Sequence, residues 1–367
     1  MNLLHTAVLL LIILALFDAE VQAFCGRIFD RATVRELNEC MQMFFPTSHT
    51  IPESVWLDRL PTDEQRQQMH SLIRQIYLAS NYELHCDPSV VMGYQHLLDV
   101  IVVTRFKDKY CVIHEPIPQN GEYFRHFWGY VIVGNPRSVK RRLHHSVSHF
   151  QTDGEVANQA AYLFEATDSR TLVVAGATRD AVIGNATSEC QKQFLPADSS
   201  HDNRTMFHLF NVAIYNAAKS LSNSSVFIQW HGMANTSCND VQAFISAGSG
   251  QNSSIYTVKN AAVNRIYRRF NRVKGNAETP ATFNCRLTAR TNIFGRYING
   301  VPLGDVCNTY SEDSEVHGNF IHIEQKEAAI KDLKTWKTVL EDEFNDASSN
   351  MPTKTVLYII VILLLML

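Results

Sequence analysis

Apolar positions along the 367-residue chain fall into three regimes. Two unbroken apolar runs stand at the ends, at 7–17 (AVLLLIILALF) and 356–367 (VLYIIVILLLML). Each is too short to cross a bilayer: twelve helical residues rise only about 18 Å against a hydrocarbon core of about 30 Å. Between 24 and about 115 the spacing is helical, as in Met69, Leu72, Ile73, Ile76 and Tyr77, which follow the capping sequence Thr62-Asp63-Glu64. A turn-rich stretch, 116–121 (PIPQNG), then marks a boundary.

From about 122 the period changes. Short β-rich runs at 128–133, 144–148, 171–175, 226–230, 241–245 and 320–323 alternate with amphipathic stretches at 156–165, 206–221, 258–270 and 326–341. This alternation predicts an α/β fold: a mostly parallel, doubly wound sheet with helices on both faces, preceded by a smaller helical N-terminal region. The expected organisation is a signal peptide at 1–23, the helical region at 24–121, the α/β domain at 122–335, a helix end and polar spacer at 336–352, and a tail at 353–367. Such sheets bind ligands outside the carboxyl ends of their strands.

The end runs change the picture of the compartment. The first is followed by Val21-Gln22-Ala23, small residues that suit cleavage of a secretory signal after Ala23. The last follows the small residues Asn345-Asp346-Ala347-Ser348-Ser349 and a polar spacer, the order of a glycosylphosphatidylinositol (GPI) signal. Asn345 is the expected attachment residue, with Ala347 and Ser348 as alternatives and a short tail anchor as the competing reading. Eight cysteines, Cys25, Cys40, Cys86, Cys111, Cys190, Cys238, Cys285 and Cys307, contain no C-x-x-C pair, and an even number in an exported chain predicts up to four disulfides of open connectivity. Sequons at Asn185, Asn203, Asn223, Asn235 and Asn252 predict glycosylation in a cell-surface glycoprotein. Loss of Asp18 and Glu20 with the signal moves the formal charge from -3 to -1, which gives no electrostatic reason for nucleic-acid binding.

Polar residues at strand ends are the candidates for chemistry. One strand delivers His149 and, six residues on, Glu155; VFIQW delivers His231; FIHI delivers Glu324; and TLVVAGA leads to Arg179. Two imidazoles and a carboxylate are the ligand set of a hydrolytic zinc site, Glu324 is placed to take a proton from water, and Arg179 to bind a carboxylate or developing oxyanion. His201, Asp202 and His208 surround the Asn203 sequon and could support the ligands or form a rival ligand pair, but a sequon implies a solvent-facing turn and so favours a structural or rim role. Arg137, Lys140, Arg141 and Arg142 suggest a solvated connection; Arg265, Arg268, Arg269 and Arg272 suggest an exposed basic helix face. Arg290 and Arg296 are possible carboxylate clamps. G-x-S-x-G, H-E-x-x-H, the Walker loop and G-x-G-x-x-G are all absent from the sequence, which disfavours serine hydrolases, common metalloproteases, P-loop NTPases and dinucleotide enzymes.

The spacing His149-x5-Glu155, a later His-Gly at a strand end and a late strand closing on Glu resemble the zinc carboxypeptidase-like superfamily, nearest to its poly-γ-glutamate hydrolase and N-formylglutamate amidohydrolase branches. The resemblance spans about 122–335. It implies one zinc ion held by His149, Glu155 and His231, with Glu324 as the catalytic acid on a late strand, acting on a small-molecule or peptide-like amide substrate. The H-x-x-E spacing of the digestive branch is absent. A non-catalytic cell-surface binding protein on the same fold is the alternative, and a phosphoesterase using the same imidazoles the third.

Overall fold

The structure is a computed structural model that describes Cys25, residues 27–118 and residues 122–345. The expected signal peptide, the chain after Asn345 and hence the tail at 353–367 lie outside the described residues; Asn345 is exposed.

Nine strands form one mixed sheet. They are β1 (Val102–Phe106), β2 (Tyr110–His114), β3 (Tyr130–Gly134), β4 (Leu143–Val147), β5 (Thr171–Val174), β6 (Val226–Gly232), β7 (Ala243–Ser246), β8 (Ala277–Glu278) and β9 (Phe320–Gln325), in the order β1-β2-β3-β5-β4-β6-β9-β7-β8. The middle meets the expectation of parallel strands: β5, β4, β6 and β9 run parallel, as do β7 and β8 at one edge, while β1, β2, β3 and β5 pair antiparallel and β7 runs against β9.

Helices α1 (Val34–Gln42), α2 (Glu53–Asp58), α3 (Asp63–Leu78) and α4 (Tyr82–His85) precede the sheet. Helices α5 (Val156–Ala166), α6 (Met206–Leu221), α7 (Ala262–Val273), α8 (Ile293–Ile298), α9 (Glu327–Lys331) and α10 (Leu333–Glu343) connect or follow its strands. Capping boxes start α1 at Thr33 and Glu36 and α3 at Thr62 and Gln65, satisfying the amides that a first turn leaves unpaired. Because successive strand residues point to opposite faces, the sheet feeds two cores. Val112, Ile132, Ile228, Trp230, Ile321 and Ile323 pack with α1, α5, α7 and α10. Ile113, Val131, Val173, Phe227 and Phe320 pack with α3, α6 and α8.

The helical description of the N-terminal region is corrected here. Residues 27–118 hold α1–α4 but end in the β1–β2 hairpin, which turns through Lys107 and Asp108 at positive φ (54° and 52°) and extends the sheet from β3. A second junction lies near the site. Residues 46–51 run along the turn after β5: His49 N–H donates to the Asp180 carbonyl (2.8 Å), Thr50 N–H to that of Ala181 (2.9 Å), and Thr178 N–H to that of Pro46 (3.1 Å).

All eight cysteines pair, as Cys25–Cys40, Cys86–Cys111, Cys190–Cys307 and Cys238–Cys285. Four disulfides fit an extracellular protein. Among the described residues no helix is long and apolar enough to cross a membrane. Asn185, Asn223, Asn235 and Asn252 are exposed and Asn203 is half-buried.

Candidate metal centre

Three adjacent parallel strands, β4, β6 and β9, bring their carboxyl ends together. Along one face of β6 the sequence passes from Phe227 to Gln229 to His231, and along the same face of β9 from Phe320 to His322 to Glu324, with Gln229 opposite His322 and His231 opposite Glu324. The period of two thus converts an apolar core face into a polar patch where the strands end. Past β4, His149 enters a tight turn in which Gln151 and Gly154 take positive φ (60° and 73°), reversing the chain so that Asp153 returns beside His149. Gly232 permits the contact: a Cβ there would stand 2.3 Å from the Asp153 carbonyl oxygen.

His149, Asp153 and His231 meet as one buried group able to hold a metal ion, their ligand atoms within 4.8 Å of one another. Asp153 Oδ2 lies 3.3 Å from His149 Nδ1 and 3.1 Å from His231 Nδ1. The edge of a tetrahedron around an ion with bonds near 2.0–2.1 Å is about 3.3 Å. Each imidazole turns its other nitrogen to an acceptor: His149 Nε2 to Asp198 Oδ1 (2.8 Å) and His231 Nε2 to Gln229 Oε1 (3.0 Å). Gln229 Oε1 also accepts from Asn292 Nδ2 and from Ser200 Oγ, which fixes it as the oxygen.

The electrostatics divide the group. Burial disfavours a charge on His149, but Asp198 and Asp153 outweigh it and raise the imidazole to about 10. Burial likewise opposes ionisation of both carboxyls; the His149 charge overcomes it, holding Asp153 well below the carboxylate range and Asp198 down at about 2. His231 is lowered by burial, only partly offset by its bond to Asp153. A neutral His231 has one N–H but faces two acceptor oxygens, so one lone pair points at an oxygen. An ion held at Nδ1 would resolve that mismatch and leave Nε2–H to donate to Gln229, the usual outer support of a metal-bound histidine. The donor set therefore fits a divalent cation of zinc type.

A second buried group, His231, His322 and Glu324, adjoins the first. Burial and the Asp153 charge raise Glu324 to about 8, and His322 Nδ1 has no hydrogen-bond partner.

Of the residues singled out in the sequence, His149, His231 and Glu324 converge here. Arg179 joins them: its Nη2 lies 3.5 Å from Asp153 Oδ1, and its side chain is 43% exposed. Glu155 does not. It is exposed and accepts a hydrogen bond from Asn158 Nδ2 (2.6 Å) at the start of α5. Asp153, passed over in that same turn, takes its place; the turn-forming pair Asp153-Gly154 was the available sign. His322 could have been found two residues before Glu324, on the same strand face. Asp198 lies in a long connection and has no local signature.

The other clusters serve the fold. His201 (9% exposed), Asp202 and His208 are buried, so of the structural and rim roles expected around the Asn203 sequon the structural one fits. His201 stacks on Phe194 and bonds Gln191, and Asp202 binds Arg204. Arg296 is buried and donates to the carbonyls of Arg290, Val306 and Cys307, so it clamps backbone and not substrate. Arg141 is buried on the Thr167 carbonyl, while Arg265 and Arg269 pair with Glu343 and Asp342, tying α7 to α10.

A cleft of about 530 Å³ opens beside the group, with Asp153, Glu155, Arg179, Met233, Asn235 and Lys331 in its lining.

No family model matches this chain, nor does any curated protein. Among solved structures it is similar to a gene product of Agrobacterium tumefaciens (12% identity, 58% of this chain and 91% of that one, TM-score 0.35). It is also similar to a metallo-carboxypeptidase from Burkholderia cenocepacia (10% identity, 70% and 67% of the chains, TM-score 0.33). At this level of likeness the chemistry must be drawn from the residues themselves.

Proposed function

We propose that this chain is a secreted, GPI-anchored zinc hydrolase that cleaves an amide bond next to a carboxylate, within the zinc carboxypeptidase-like superfamily and its doubly wound sheet. The observation that carries the proposal is the convergence of His149, His231 and Asp153 on one point, each imidazole supported from behind by Asp198 or Gln229. A zinc ion held by these three would polarise the amide carbonyl and acidify a water molecule. Glu324 stands next to the group on β9, where its ionised carboxylate would take a proton from water and return it to the leaving nitrogen. Arg179, half exposed on the cleft, is placed to receive the substrate carboxylate. The cleft volume of about 530 Å³ suits a small or short peptide-like substrate. The apolar runs at 7–17 and 356–367 supply the export and anchoring part of the proposal, supported by the four disulfides.

The test is metal analysis of the full chain purified from a secreting cell, with turnover of N-acyl glutamates and γ-glutamyl amides. About one zinc per chain is expected. His149→Ala, Asp153→Asn and His231→Ala should lose it, Glu155→Gln should keep it, and hydrolysis should follow the metal. A well-folded, metal-free protein whose zinc affinity His149→Ala leaves unchanged would overturn the proposal.

A further inference from the structure

The chain leaving β6 carries a glycosylation sequon, Asn235-Thr236-Ser237, into the rim of the cleft. Asn235 is exposed and lines the cleft with Met233 and Ala234. It lies four residues beyond His231, so even a fully extended path leaves the two Cα atoms within about 13 Å. The root of this turn is fixed. Gly232 N–H donates to Asp153 Oδ2 (3.3 Å), Met233 N–H to the Gln325 carbonyl (2.8 Å) and Ser237 N–H to that of Ala234 (2.9 Å), and Cys238 is disulfide-bonded to Cys285 directly afterwards. A sugar chain grown from Asn235 therefore starts at a set place beside the candidate metal centre. Asn223 offers the contrast: it is equally exposed but precedes β6, at the strand end away from His231.

We propose that an N-glycan on Asn235 roofs the cleft and restricts it to small substrates, excluding folded proteins and long polymers. The inference rests on the reading of this cleft as an extracellular substrate site. An N-linked glycan is a bulky, hydrated branch, which cannot settle among the buried groups beneath but occupies the approach to them. A small amide passes under it; a chain that must lie across the rim meets it. Size selection is thereby set by a modification, while Arg179 and the buried group act on what enters.

Lys331 supplies a reporter, since it lines the same cleft and its side chain is 63% exposed. Secreted full-length protein is treated with a small acetylating succinimidyl ester or with the same ester on a long polyethylene glycol chain. Modification of Lys331 is followed by peptide mass mapping, and occupancy of Asn235 by glycopeptide mass. Wild type, Asn235→Gln, Ser237→Ala and Asn223→Gln are compared, with native protein trimmed by an endoglycosidase guarding against folding defects in the variants. The expected result is an occupied Asn235 and a rise of at least about tenfold in polymer-ester labelling of Lys331 once the bulky branch is removed by variant or trimming. Small-ester labelling should stay the same, and Asn223→Gln should change neither rate. An unglycosylated Asn235, or equal polymer-ester rates with and without its glycan, would overturn the proposal. Because the readout needs neither bound metal nor turnover, a metal-free protein would defeat the hydrolase reading without touching this one.

Discussion

His149 is placed between two carboxylates, Asp153 on Nδ1 and Asp198 on Nε2, and this single arrangement organises the charges around it. A residue held so tightly can be altered at its neighbours with graded effect. Asp198→Asn keeps the shape but weakens the acceptor behind the imidazole, and is expected to reduce zinc affinity about 10–100-fold, measured by competition with a chelator. Glu324→Gln should instead leave zinc content intact and lower turnover by about 10²–10⁴-fold; an unchanged rate would remove Glu324 from proton transfer. The histidines and Glu324 were legible in the sequence because each ends a strand. The candidate carboxylate ligand was not: the spacing of six points to Glu155, but a reversing turn brings the fourth residue back, and the turn at Gln151 and Gly154 presents Asp153 instead.

At the scale of the element, β6 and β9 read as two layers in one strand pair. Trp230 and Ile323 face one core, while Gln229, His231, His322 and Glu324 share the other face. The end of β6 works only because it abuts the Asp153 turn, and Gly232→Ala would drive a methyl into the Asp153 backbone. Turnover is expected to fall by about 10²-fold, the effect of a misplacement near 1 Å, although no ligand has been replaced. A crystal structure of the variant with the turn unmoved would refute that cause. Most of these elements follow from their apolar periods, and predicted and observed spans agree within a few residues for β3 to β7 and for α5 and α6. The β1–β2 hairpin escaped because its β-branched runs sit at the end of a stretch dominated by helical spacing, and strand pairing is decided by partners distant in sequence.

The whole molecule carries several buried neutral histidines away from the metal group. Burial lowers His145 and His208 to about 3 and His114 to about 4. The unfolded chain titrates near 6.5, so it binds more protons than the folded one at every pH between that value and these. Their contribution to stability is complete above pH 6.5 and is lost as pH falls toward 3. The midpoint of urea unfolding should therefore begin to drop below pH 6.5, well before ordinary carboxylates titrate. His208→Leu, which removes a ring with neither nitrogen hydrogen-bonded, should make the drop shallower, and a midpoint constant from pH 7 to 5 would contradict the account.

Residues 46–51 hold the turn that carries Arg179 by its backbone. These residues supply none of the candidate ligands, yet they stand behind an arginine that lines the cleft. On the proposed reading, a change in this brace would loosen the hold on an anionic substrate before it disturbed the ion. On that reading the amino-terminal part has a share in substrate choice.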